Sequence, residues 1–160
     1  MSNERPVGVL FLCMGNICRS PLAEGIFLHL ARQRGVASRF RVDSCGTGGW
    51  HAGDRPDPRA LAVAQRHGVT LPSRARQLDP ARDAAAFDLI VAMDASNRDD
   101  AVAAGVPADK IRLMRSFNPD AAEGAAVPDP YYGGARGFDD VYAMLTVACG
   151  GLLDHLLDDG

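Results

Sequence analysis

A continuous apolar run, Val7-Gly8-Val9-Leu10-Phe11-Leu12, gives way at once to Cys13-Met14-Gly15-Asn16-Ile17-Cys18-Arg19 and then to Ser20-Pro21. No other stretch constrains the fold as much. An apolar run without alternation reads as a strand buried on both faces, the mark of a parallel sheet covered by helices. Ser20 suits a helix N-cap and Pro21 the first helical position. Leu22, Ile26, Phe27 and Leu30 supply that helix's apolar face, Glu24 in its first turn suits the dipole, and Gly35 ends it. The junction is therefore strand, tight loop, helix N-terminus.

The rest of the chain repeats the alternation. Phe40–Asp43 reads as a second, shorter strand, followed by a glycine-rich loop over Gly46–Gly53 that carries Trp50 and His51. Asp57-Pro58 starts a second helix, stopped by His67-Gly68. Residues 69–86 read as irregular or as holding a short helix. Phe87–Met93 and Lys110–Met114 read as the third and fourth strands, with a short helix over Ser96–Ala104, closed by Gly105, between them. Residues 116–137 form a long loop, and long loops in compact domains often carry function. A last helix begins near Phe138-Asp139, with Val141, Leu145, Ala148, Leu152 and Leu156 on one face. Gly150-Gly151 lie inside it, where each weakens a helix by about 1 kcal/mol, and nothing in the sequence accounts for them. This order predicts right-handed crossovers and an α/β three-layer sandwich: a four-stranded parallel twisted sheet with helices on both faces. A chain of 160 residues buries one sizeable core, so residues 1–160 are expected to form a single domain.

Charge and composition exclude several classes of function. The formal net charge is −3 with no basic stripe, which argues against nucleic-acid binding. Aromatic residues make up 6%, too few for a stacking platform along a single strand. Lys110, the only lysine, follows Asp109, so no Gly-Lys-Ser/Thr phosphate loop exists. No apolar stretch is expected to reach the roughly 18 residues of a membrane span, and the short run after Glu4-Arg5 lacks the cleavage site of a signal peptide. The expected location is the cytoplasm, with Cys13, Cys18, Cys45 and Cys149 as reduced thiols. No Cys or His pair has zinc spacing, and His29, His51, His67 and His155 read as ordinary residues. Neither metal nor cofactor is expected.

Chemistry gathers at Cys13. Successive N–H groups in a strand-to-helix loop form an anion-binding nest, reinforced by the helix dipole. A thiol at the strand's C-terminal edge lies in that positive field, which favours its thiolate. Arg19, six positions on, can curl back so that its planar fork grips two phosphoryl oxygens. An activated sulfur beside a dianion cradle suggests a phosphocysteine intermediate. Gly46-Thr47-Gly48-Gly49 is no dinucleotide fingerprint, because the third glycine would fall at His51. A serine hydrolase would need a Gly-x-Ser-x-Gly elbow, which is missing.

The whole string from Cys13 to Pro21 resembles the signature of the low-molecular-weight protein tyrosine phosphatases, and Asp129-Pro130-Tyr131-Tyr132 resembles their general-acid loop. The likeness continues through Asp43-Ser44, Gly46-Thr47, Trp50-His51, Asp57-Pro58-Arg59-Ala60, Ala75-Arg76-Gln77 and Met93-Asp94. It implies a cysteine-dependent phosphomonoester hydrolase that removes phosphate from protein phosphotyrosine. In that reading Cys13 is the nucleophile and Arg19 binds the phosphoryl group. Asp129 protonates the leaving oxygen and then deprotonates the attacking water, with Asp94 the next carboxylate to test. Met14, Gly15, Asn16, Ile17, Cys18, Arg19 and Ser20 line the phosphate loop, while Trp50, Tyr131 and Tyr132 wall the pocket. Asn16, Ser20 and Ser44 hold the loop in shape, and Ser20 can also donate to the thiolate. Cys18 is either a small buried side chain or the partner of Cys13 in a reversible, protective disulfide. Cys45 and Cys149 read as structural. The family often has a histidine just before Arg-Ala-Arg, and here Ser73 stands there, which implies a less rigid support network.

Two relatives of this chemistry are alternatives. An arsenate reductase on the same fold needs a closely spaced downstream cysteine pair, and none lies between Cys45 and Cys149. Phosphoarginine phosphatases carry a small polar residue where this chain has Ile17, whose branched apolar side chain favours a flat phenyl ring. The expected partners are phosphotyrosine proteins, with a tyrosine kinase among the candidates, and the expected state is a monomer or weak dimer.

Overall fold

The computed structural model describes residues 5–132 and 135–158. β1 (Val7–Cys13), β2 (Phe40–Gly46), β3 (Leu89–Ala92) and β4 (Ile111–Leu113) form one parallel sheet in the order β2-β1-β3-β4. Between and after them run α1 (Arg19–Gln33), α2 (Pro58–Arg66), α3 (Pro80–Ala86), α4 (Ala95–Ala104) and α5 (Ala135–Asp158). The three-layer sandwich read from the sequence is what the chain forms.

β1 is buried on both sides, and its period of two splits the core. Val9, Phe11 and Cys13 face a cluster built with Leu22, Ile26 and Phe27 of α1 and with Leu145, Ala148 and Leu152 of α5. Leu10 and Leu12 face a smaller cluster with Cys45, Ile90, Ala92 and Ala101. Leu22, Ile26 and Phe27 are all but inaccessible to solvent, and each contributes about 1.5–3 kcal/mol through burial.

Several boundaries differ from the sequence reading. β2 is longer than expected because its last residues pair with β1 as far as Cys13 opposite Gly46. β3 and β4 are shorter, with ladder pairing confined to Leu89–Ala92 and Ile111–Leu113. Residues 69–86 hold α3, capped by Asp79, whose side chain accepts from Arg82 N. The stretch 116–137 contains 3-10 turns, at Met114–Phe117 and Pro130–Tyr132, and α5 starts at Ala135. Ser20 is not the N-cap of α1. Cys18 holds that position without a side-chain cap, and Ser20 lies inside the first turn with its hydroxyl turned to Cys13. Glu24 accordingly falls beyond the first turn, buried. Against expectation, Arg136–Asp158 is long and apolar enough to cross a membrane. Here Leu145, Ala148, Cys149, Leu152 and Leu153 of that helix are fully buried in the core.

The order β2-β1-β3 places consecutive crossovers on opposite sides of β1. Its C-terminal end is thus the point where strand order reverses, where open α/β sheets bind ligands. Cys13 is the last residue of β1.

Candidate active site

The loop after Cys13 is shaped by what ties down its carbonyls. Met14 O accepts from Gly48 N at 3.0 Å, and Ile17 O accepts from Asp57 N at 2.8 Å. In a trans peptide the next N–H points the opposite way, so the N–H groups of Gly15 and Cys18 turn away from those partners, toward the cavity. Gly46 is needed where the neighbouring strand passes close by: a Cβ there would lie 2.7 Å from Met14 O.

Asn16 fixes the bend. Its φ of 58° is the only positive value at a non-glycine among the described residues. Asparagine tolerates that region better than most residues, and its amide is fully used. Nδ2 donates to Ser20 Oγ at 2.8 Å and to Ser44 Oγ at 3.0 Å, and Oδ1 accepts from Arg76 N at 2.9 Å. Ser44 Oγ in turn donates to Glu24 Oε1 at 2.7 Å, and Ser73 Oγ donates to Glu24 Oε2 at 2.6 Å. Glu24, whose place in the sequence suits the helix dipole, is the buried hub of this network. Burial pushes its carboxyl above the usual range, and the Ser73 and Ser44 hydroxyls pull the other way. Ser73, at the position where the resemblance implied lost support, is hydrogen-bonded into it.

Cys13 Sγ lies 3.0 Å from Ser20 Oγ and accepts from Asn16 N at 3.3 Å. Both contacts suit a sulfur carrying negative charge. Arg19 has a side chain only 4% exposed. Its Nη1 donates to Asp94 Oδ2 at 2.7 Å and to Val127 O at 3.0 Å, while Nη2 lies 3.9 Å from Asp129 Oδ2. Asp94 also caps α4, accepting from Asn97 N at 2.7 Å. Both of its oxygens therefore accept hydrogen bonds, one of them from Arg19.

The loop that carries Asp129 reaches the site through Val127, whose N–H bonds Met93 O at 2.8 Å beside the end of β3. Asp129 Oδ1 accepts from Tyr131 N at 3.0 Å, and the residue lines the same cavity as Cys13 and Arg19. Arg59 braces the same loop from α2. It donates to Tyr131 O at 3.2 Å, and its guanidinium packs over the rings of Tyr131 and Phe138. The guanidinium also holds the Asp57 carboxyl below its usual range.

These groups surround a cavity of about 140 Å³ lined by Cys13–Arg19, Trp50, His51, Asp129 and Tyr131. The structure therefore brings together Met14, Gly15, Asn16, Ile17, Cys18, Trp50 and Tyr131 with Cys13, Arg19 and Asp129. Ser20 and Ser44 stand behind the loop. The side chain of Tyr132 lies outside the described residues. His51, read as ordinary, lines the cavity and sits 3.2 Å from Asp54 Oδ2 through Nδ1. Sequence alone does not single out Arg59, Glu24 or His51, which the structure places in or around this site. For Asp94 a signal existed, since it lies just beyond the C-terminal end of an apolar run, here β3.

Cys18 is buried within the loop. Desolvation first, then the Asp57 carboxylate, pushes its thiol up to about 12. Burial likewise raises Cys45 and Cys149, and both sit in the hydrophobic core.

Residues 8–160 match a family model described as low molecular weight phosphotyrosine protein phosphatase. A Schizosaccharomyces pombe protein of that same description is 44% identical over 143 residues, 88% of this chain and 90% of the relative. Among solved structures, YfkJ from Bacillus subtilis superposes with a TM-score of 0.91 at 34% identity, covering 99% of both chains. A Drosophila arginine phosphatase superposes with a TM-score of 0.82, also at 34% identity, over 92% of this chain and 96% of its own.

Proposed function

The chain belongs to the low molecular weight phosphotyrosine protein phosphatase family, and from that premise we propose how its own residues carry out phosphomonoester hydrolysis. The Cys13 thiolate attacks phosphorus in line with the ester oxygen, and the Arg19 guanidinium and loop N–H groups hold the other phosphoryl oxygens. As the S–P bond forms and the P–O bond breaks, Asp129 gives its proton to the leaving phenolate. Water then attacks the phosphocysteine and loses a proton to Asp129. The P–S bond breaks, and the sulfur leaves as a thiolate beside the Ser20 hydroxyl. One observation carries this reading: Asp129, remote in sequence from the Cys13–Arg19 loop, lines the same cavity as Cys13 and Arg19. Cys13→Ser is expected to abolish hydrolysis of p-nitrophenyl phosphate while phosphate still binds, measured by calorimetry. Substantial turnover by that variant would remove Cys13 from the mechanism.

The substrate is a phosphotyrosine protein made by a tyrosine kinase. Ile17 and the Trp50 and Tyr131 rings favour a flat aryl group in the cavity over a guanidinium. The arginine phosphatase among the structural neighbours supplies the competing reading. Rates on phosphotyrosine and phosphoarginine peptides decide between them, and faster phosphoarginine cleavage would reverse the assignment.

All four cysteines are free thiols, which suits a reducing compartment such as the cytoplasm. Cys18 is the resolving thiol in a protective cycle: peroxide converts Cys13 to a sulfenic acid, and Cys18 displaces water from it to form a disulfide. Burial pushes the Cys18 thiol up, which disfavours its own direct oxidation. Peroxide inactivation reversed by dithiothreitol, with a Cys13–Cys18 peptide found by mass mapping, is the expected result. A bridge elsewhere would count against the pairing.

A further inference from the structure

A second groove, of about 370 Å³, opens on the far side of a rim made by Met14 and Trp50. Both residues also line the active-site cavity, so the two spaces share that rim. Met14 is 39% and Trp50 65% exposed, so the rim between the two spaces is apolar and open to solvent. Trp50 is nonetheless held in place. Its ring lies across Gly48, where any side chain would occupy the ring's space. A Cβ on the neighbouring Gly49 would come 2.7 Å from Gln77 Oε1, and Gln77 Nε2 donates to Thr47 O at 3.2 Å. The glycine run that fits no nucleotide fingerprint thus lets Trp50 fold back as a wall shared by two spaces.

Beyond the wall the groove has an apolar floor of Leu78, Pro80 and Ala104. Asp100 is the only charged residue lining it. Asp100 is exposed and forms no ion pair among the described residues. The single arginines of the flanking helices are engaged elsewhere, Arg98 with Asp99 at 3.4 Å and Arg82 with Asp79 at 3.9 Å.

We propose that this groove seats the substrate polypeptide beside the phosphotyrosine and selects a lysine or arginine there. The proposal rests on the phosphotyrosine-protein reading above. A phosphotyrosine in the cavity brings its own backbone to the Met14–Trp50 rim, and a neighbouring side chain then passes over it. A long basic side chain lays its aliphatic stem along Leu78, Pro80 and Ala104 and brings its charged head to Asp100. An acidic side chain in the same place meets like charge and finds no donor of opposite sign.

The test uses the full chain and phosphotyrosine peptides in which one lysine is scanned through the positions flanking the tyrosine in an alanine background. At one or more positions lysine is expected to raise kcat/KM about two- to fivefold, the range of an exposed charge pair. Asp100→Asn should erase that gain, and Asp100→Lys should transfer it to glutamate at the same position. Ala104→Trp, which fills the groove, should erase it without changing charge. Hydrolysis of p-nitrophenyl phosphate, which does not reach the groove, should be unchanged in all three variants and reports that they fold. If no position responds, or the lysine gain survives Asp100→Asn, the groove does not select the substrate. If the wild type cleaves p-nitrophenyl phosphate but no phosphotyrosine peptide, the substrate reading falls and this proposal falls with it.

Discussion

Two carboxylates approach Arg19, and their surroundings give them different work. Asp94 has one oxygen on Arg19 Nη1 and the other on the first turn of α4, so it fixes a cation. Asp129 has one oxygen on its own loop at Tyr131 N and the other 3.9 Å from Arg19 Nη2, a looser contact that leaves it able to face a leaving group. A phenolate of high basicity needs a proton to depart, and a nitrophenolate needs it far less. Asp129→Asn should therefore lose about 10²–10⁴-fold in kcat on phosphotyrosine, with the loss shrinking as the leaving group becomes more acidic. Asp94→Asn should behave differently. With Arg19 less firmly aimed, the phosphoryl group is misplaced whatever its ester, and about 10²-fold is lost evenly along the series. A Brønsted plot for both variants on a set of aryl phosphates checks the assignment. Equal slopes would merge the two roles, and a steeper dependence for Asp94→Asn would exchange them.

Most elements follow from local sequence, but some residues within them answer to neighbours that sequence does not display. β1 and α1 were legible because an apolar run and a Ser-Pro helix start are local signals. The cap was misplaced by two residues because the loop's hydrogen bonds recruit Ser20 to Cys13 and Asn16 instead. Cys13, Arg19 and Asp129 were legible as types in a pattern. Glu24 and Arg59 were not, since their partners lie on other elements, Ser44 and Ser73 for one and Tyr131 for the other. The paired glycines of α5 show the same division. A Cβ on Gly151 would collide with the Phe117 carbonyl oxygen, so the helix packs against the 3-10 turn at Met114–Phe117 only if that side chain is missing. Gly150 faces open space, and nothing in the structure requires it. Gly150→Ala should stabilise the protein by about 0.5–1 kcal/mol, the helix-propensity difference. Gly151→Ala should destabilise it by about 1–3 kcal/mol, as overpacking does. Urea unfolding of both variants is the measurement. Stabilisation by both would mean the Phe117 contact relaxes freely.

The active site is held together by the same contacts that hold the molecule together, so its support network should show in the stability of the whole. Glu24 is 2% exposed and joins α1 to β2 through Ser44 and to the segment before α3 through Ser73. Burial raises the folded-state affinity of its carboxyl for a proton, an effect that the two hydroxyls only partly offset. In the unfolded chain the same group titrates near 4.3. Above that pH the unfolded chain releases the proton while the folded protein still holds it. The folded state then binds more protons, and stability falls as pH rises, since the slope follows the protons bound by the unfolded state minus those bound by the folded one. The loss begins at the ordinary glutamate value and is complete once pH passes the raised folded value. Carboxylates held low, such as Asp57 beside Arg59, act in the opposite sense and blur the total. Glu24→Gln removes only the Glu24 contribution, because an amide has no proton to lose. Urea midpoints for wild type and variant, taken from acid to neutral pH, should thus diverge. Whatever the gap at low pH, it should shift in favour of Glu24→Gln as pH rises through that window and stay level above it. Parallel curves would mean that Glu24 ionises in the folded protein as readily as in water, and that the Ser44 and Ser73 hydroxyls fully compensate its burial.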